Sequence, residues 1–420
     1  MLLYGALFSL YCLARFATLE RAISRYGDTP SYHRAASEPL LSHAFLVGHR
    51  APTVPLVWKL LGNEETAITW AQFAISIACW FFFATSVASV VRHVRLRVVV
   101  LGLVLLFSLS AQIAQWDRDL LSESLTVSLT TLLYGLVLRL VVRPRRSTGV
   151  ATLVFLALWI FARDQNAWTA LVGLPVLLAS LRFTRAKGAV IAATVVYASV
   201  AAASVLSAQA AHRADPSLVD VVDGRLFVDD PSARSWMIEH GYTGKTWANT
   251  TSTYRSFLVA HPVFTLTGPL RNRPSYSTGP TSTNRLRALY TPHTETYEKS
   301  SPRWRLPPLI ERAAVPTRPA YLLGEVVVAL ALAAGAWFGR RPPRVALVPL
   351  LAAVAMYPQF VLVWNGDQVE VDRHALIPAL TLRMSLIVVA ALAADSLLRR
   401  RDTQRARVRP PRPRSPNGRP

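Results

Sequence analysis

The sequence predicts an all-α polytopic membrane protein of about ten spans, and three observations carry that prediction. Hydrophobic residues make up 52% of the 420-residue chain, and mean hydropathy is +0.30, above the range of ordinary soluble enzymes. Apolar runs near the length of about 20 residues needed to cross a bilayer recur along the chain. The arginines between those runs come in short clusters, the pattern that orients a membrane protein.

Taken in order, the runs predict spans over 2–19, 67–91, 95–114, 120–142, 149–163, 167–181, 188–209, 319–339, 345–364 and 374–398. The fifth and sixth are short and separated by Asp164, Gln165 and Asn166, which reads as a tight helical hairpin. The first residues are apolar with neither a basic leader nor a small-residue cleavage site, so they read as a retained span. Basic clusters at Arg92/Arg95/Arg97, Arg143/Arg145/Arg146, Arg182/Arg185/Lys187 and Arg340/Arg341/Arg344, together with the tail from Arg399, fall on one side when spans are counted. That side is expected to be cytoplasmic. All acids but Asp395 and Asp402 then fall in outer loops or the outer parts of spans.

The expected organisation is a transmembrane module over 1–209 with outer catalytic loops, an extracytoplasmic insert over 210–318, C-terminal helices over 319–398, and a disordered basic tail over 399–420. A connection as long as 210–318 usually has functional work or its own small fold. Its 247–270 stretch suits amphipathic helix near the membrane surface, and the Pro, Gly, Ser and Thr of 271–296 suit irregular structure. The net charge of +22 does not imply nucleic acid, because the arginines alternate with apolar spans and form no contiguous face. Cys12 and Cys79 lie in apolar stretches and suggest no disulfide, zinc or redox motif. The excess of arginine over lysine fits a GC-rich bacterial source, hence a bacterial cytoplasmic membrane with the active site facing outward. Oligomeric state is not legible.

Four outer clusters have residues suited to chemistry. In Gly27-Asp28-Thr29-Pro30-Ser31-Tyr32-His33, Asp28 reads either as a general base at the membrane surface or as an Asx-type turn before Pro30. Tyr32 and His33 are candidates for positioning an acceptor. In Trp116-Asp117-Arg118-Asp119, followed by Ser122-Glu123, the carboxylates of Asp117, Asp119 and Glu123 can converge on a divalent cation such as Mg2+ or Mn2+. They can equally orient sugar hydroxyls, with Arg118 as a further substrate contact, or cap a helix. In Arg163-Asp164-Gln165-Asn166, the choice is between a phosphate-facing arginine, with Asp164 and Asn166 beside it, and a local Arg163–Asp164 pair. The fourth cluster runs from Asp367 to Asp372 and ends in Arg373-His374; an outside arginine at a span end favours a specific anionic partner over simple snorkelling. Within the hydrocarbon, Arg383 stands out, with Glu325 a plausible partner.

An aspartate in a long first outer loop, then His49-Arg50-Ala51-Pro52-Thr53-Val54-Pro55-Leu56, an acidic second loop ending in Ser-Glu, the Arg163 hairpin and an Arg-His start to a late span together resemble the GT-C-fold glycosyltransferases. The protein mannosyltransferase and lipid A aminoarabinose transferase branches are the most similar. The likeness covers most of 1–200 by layout and 319–398 loosely. It implies transfer of a sugar from a polyprenyl phosphate to a cell-envelope glycan, lipid or protein outside the membrane. Asp28 matches the position of the family's first-loop catalytic aspartate. Asp117 and Asp119 look like the acidic motif of metal-using members, although many relatives use no metal. One departure is the large insert at 210–318 in place of a separable C-terminal soluble domain. The competing readings are a transporter or lipid-linked-sugar flippase, and an O-antigen-type polymerase or ligase.

Overall fold

The structure is a computed structural model that describes residues 2–180, 187–227, 230–270, 304–314, 319–338, 341–366 and 371–408. Among these the secondary structure is helical, apart from an isolated parallel bridge between Ser24 and Asp119. Five helices are long and apolar enough to cross a membrane: Glu65–Val90, Glu123–Val142, Val190–Ala210, Arg344–Gly366 and Leu376–Gln404. A bent pair, Val94–Ser108 and Ala111–Arg118, makes a sixth if counted as one span. The expected ten are therefore not reached by length and apolarity. The other expected spans are helical but shorter or less apolar. Arg146–Ile160, for example, has 15 residues, or about 22 Å at 1.5 Å per residue.

The third expected span, 95–114, is not straight. It bends by 64° after Ser108, and the reason is visible in where the freed backbone groups find partners. Water is absent from the hydrocarbon, so such groups need them. The Arg15 guanidinium donates to Ser108 O, and Glu311 Oε1 accepts from Ala111 N at 2.8 Å. Arg15 also donates to Ser76 Oγ at 2.9 Å and pairs with Asp117 Oδ2 at 3.0 Å. The bend carries residues 111–123 back across the bundle end, where the bridge to Ser24 ties this second loop to the first.

Glu65–Val90 packs on Glu123–Val142. In lipid, close backbone approach replaces the hydrophobic drive between helices and favours small residues. Gly135 shows it: a Cβ there would meet the Phe82 ring at 3.0 Å and Ser86 Oγ at 3.1 Å. Leu376–Val408 packs on Pro319–Trp337 and on Leu347–Gly366. Its helix runs on to Val408, so the tail expected to be disordered from 399 begins helical. Arg399 pairs with Asp395 one turn earlier at 3.0 Å. Arg400 donates to Gly335 O at 2.9 Å and to Ala336 O, the end carbonyls of the neighbouring helix, where the helix dipole favours a cation.

Residues 210–270 build a small core of their own around Leu218, Val221, Leu226, Met237, Tyr254 and Phe257. The helices expected in 247–270 are present as Trp247–Ala260 and Pro262–Thr267; the irregular stretch expected at 271–296 lies outside the described residues. This outer segment is fastened to the Gly366 end of Leu347–Gly366. Arg225 stacks over the Trp364 ring at 4.2 Å, and the Tyr254 hydroxyl donates to Asn365 O at 3.1 Å.

Candidate active site

The site is built around the start of the Thr29–Ser37 helix. Asp28 occupies its N-cap, but its side chain makes no capping hydrogen bond. The turn is held instead by Thr29, whose hydroxyl accepts from Tyr26 N at 2.9 Å and donates to Leu120 O at 2.9 Å. The Asx-turn reading of Asp28 therefore does not account for its carboxylate. One carboxylate oxygen faces Arg50 and the other faces Arg373 at 2.9 Å. Burial works against charge on Asp28, but the two guanidiniums outweigh it and hold its carboxyl below the usual carboxylate range.

Arg50 is fixed from two sides, by Ser31 Oγ at 2.6 Å and by the Tyr32 ring 4.6 Å beneath it. Arg373 reaches past Asp28 to Glu123 Oε1 at 3.4 Å, and Arg163 meets the same oxygen at 3.3 Å. His374 Nε2 lies 3.4 Å from Arg373. Four segments far apart in the chain thus converge: the first loop, the head of Glu123–Val142, the 160–166 hairpin and the entry to the last span. Accessibility separates the acids. The Asp28 side chain is 32% exposed and that of Glu123 only 1%, so of the two Asp28 is the carboxylate open to solvent.

The remaining sequence candidates divide. Asp117 turns away into the Arg15 pair and accepts from Ser124 Oγ at 3.3 Å. Asp119 accepts from the Tyr26 hydroxyl at 3.1 Å; burial, reinforced by the charges of Glu123 and Glu20, pushes its carboxyl up to about 8. The three second-loop carboxylates point to three different partners. Among the described residues no group of three or more His, Cys, Asp or Glu is set to hold a metal, and the donor set as placed does not fit one. Arg163 does not pair locally with Asp164, which goes to Arg213 at 3.0 Å. Asn166 donates to Trp159 O at 2.7 Å and closes the hairpin. His33 faces away from Asp28, toward Asn63 at 2.8 Å and Glu65 at 3.5 Å. Arg118 lies over the Trp70 ring at 5.6 Å. Asp367 and Glu370 lie outside the described residues. Arg383 is buried and donates to Ala379 O at 3.2 Å, with Glu325 interacting electrostatically.

Sequence reasoning passed over Arg50, Tyr26, Arg15 and Arg213. For Arg50 a signal existed: it is an outside arginine, the argument that singled out Arg373. The other three act through partners distant in sequence and left no local pattern.

With this geometry in hand, the fold can be compared with solved structures. The chain is similar to the archaeal oligosaccharyltransferase AglB from Archaeoglobus fulgidus, solved in complex with an inhibitory peptide and a dolichol-phosphate. The TM-score is 0.51 at 12% identity, over 97% of this chain and 52% of that one. The likeness is one of fold. This chain spans about half the length of that enzyme. No family model matches the sequence, and no curated protein matches it.

Proposed function

We propose that the protein is a membrane glycosyltransferase of GT-C type, moving a sugar from a polyprenyl phosphate to an acceptor outside the membrane. The observation that carries this reading is Asp28: a reachable carboxylate with a guanidinium on each oxygen, at the end of a helical bundle that shares its fold with a solved oligosaccharyltransferase. A transporter is expected to place its polar groups near the midplane of broken helices, whereas this cluster sits at helix ends.

In the proposed reaction an acceptor hydroxyl oxygen attacks the anomeric carbon. Its proton passes to Asp28, and the bond from that carbon to the phosphate oxygen breaks, releasing polyprenyl phosphate. The phosphate leaves as a stable anion, so no general acid is needed, and attack opposite it inverts the anomeric centre. Arg373, Arg50 and Arg163 supply the planar donors that stabilise the departing charge. Of these, Arg50 and Arg373 hold Asp28 ionised but weakly basic in the absence of substrate. A donor phosphate competing for them leaves Asp28 more basic when the acceptor is in place.

The test is transfer from radiolabelled polyprenyl-phosphate sugars by membranes containing the protein. Label should move to an acceptor in the presence of a lipid-linked donor. Turnover from a nucleotide sugar alone, in lipid-free conditions, would overturn the reading.

A further inference from the structure

The outer segment carries an apolar stripe that its own core leaves uncovered. Residues 252, 256 and 259 share one face of Trp247–Ala260, and 263 and 266, three apart, share one face of Pro262–Thr267 beyond the break at His261, with Leu270 closing the turn that follows. Ser252 and Ser256 open the stripe, exposed and polar. Then come Val259, Val263, Leu266 and Leu270, exposed by 82%, 69%, 55% and 54%. The opposite side is committed: Tyr254 and Phe257 are buried in the segment's core.

The contacts of this stretch say what covers the stripe. Thr265 O accepts from Asn365 Nδ2 at 3.1 Å, and Leu266 O accepts from the Tyr357 hydroxyl at 2.6 Å. Gly268 lies so close to Trp364 that a Cβ would stand 2.9 Å from its ring. Residues 262–270 therefore lie alongside the last turns of Arg344–Gly366, one of the helices apolar and long enough to span. They do not sit beyond its end. A segment at that level meets the boundary between lipid headgroups and acyl chains, where an amphipathic helix buries its apolar face by about 5–10 Å.

We infer that residues 259–270 form an interfacial anchor whose Val259, Val263, Leu266 and Leu270 face the hydrocarbon of one bilayer leaflet. The stripe leaves water between Ser256 and Val259. His261 and Pro262, where one helix ends and the next begins, mark the change of direction. The anchor holds the segment against the Gly366 end of Arg344–Gly366, to which Arg225, Tyr254 and Thr265 also fasten it.

The test needs no activity, so it stands apart from the proposed reaction. Single cysteines at 252, 256, 259, 263 and 266, in a Cys12→Ser/Cys79→Ala background, are labelled with a nitroxide in phosphatidylcholine vesicles. Collision with oxygen, which concentrates in hydrocarbon, is compared with collision with a water-soluble nickel chelate. The expected result is a switch from nickel-accessible at 252 and 256 to oxygen-accessible at 259, 263 and 266. Nickel accessibility at all five would overturn the anchor. Exclusion of both reagents at 259, 263 and 266 would overturn it too, by showing the stripe covered by protein.

Discussion

The loops after the first and third expected spans each offer aspartates at the same end of the bundle, yet the structure uses them differently. Asp28 keeps a third of its side chain in reach of solvent and shares its oxygens between Arg50 and Arg373. Asp117, with a 2% exposed side chain, lies against Arg15 beneath the bend. Asp119 is enclosed with Tyr26 and carries no cation partner among the ion pairs described. A carboxylate that is reachable and ionised suits proton transfer, while an enclosed one serves to hold backbone and loop in place. Residue type and membrane depth alone do not distinguish the two. Partners and exposure do.

The largest effect that sharpens this contrast falls on folding. Asp117→Leu leaves Arg15 charged and buried without its partner, a loss of about 3–5 kcal/mol. It should sharply lower the yield of folded protein in detergent. Adding Arg15→Met should restore part of that yield. Parental stability in the single variant would remove the scaffold role. Next in size, Arg373→Lys or Arg50→Lys keeps the charge but loses the planar fork. Donor KM should rise by about tenfold, the equivalent of one charge-assisted hydrogen bond of about 1.5 kcal/mol, while thermal stability changes little. Unaltered donor kinetics in both variants would take the arginines out of the phosphate site.

A pH-dependent effect belongs to Asp119. Its carboxyl titrates near 8 in the fold against about 4 in an unfolded chain. Its stability contribution is therefore complete below about 4 and is lost as pH rises through about 8. Asp119→Asn cannot ionise, so its melting temperature should gain on the parent's between those limits, with turnover at neutral pH close to parental. Parallel melting curves across that range would show Asp119 ionised in the fold. The smallest expected effect is that of a chelator: because the acids have separate partners, transfer should continue in its presence. Loss of transfer, restored by Mn2+ or Mg2+, would show the second-loop acids converging on a metal ion.

Much of the helical layout was legible in apolar runs, since these follow from short-range composition. The break after Ser108 was not. Its freed groups are met by Arg15 and Glu311, one 93 residues before Ser108 and the other 200 residues after Ala111, and nothing near the break announces them. Asp28 was legible as a candidate by its place after the first span, but choosing between turn and base required seeing Thr29 make the turn. Arg163 was legible as an outer arginine, although its partner Glu123 stands 40 residues away while its neighbour Asp164 pairs with Arg213. Side chains at a membrane boundary choose partners across the bundle, and adjacency in sequence is a poor guide to them.

The account rests most directly on Asp28. Asparagine there preserves shape and can still accept from one of Arg50 and Arg373, but its amide nitrogen cannot accept from the other, and it cannot take a proton. Transfer from a polyprenyl-phosphate sugar should fall by about 10²-fold or more in Asp28→Asn, with folded protein still recovered. Transfer at the parental rate in that variant would contradict the account and leave Asp28 a structural residue.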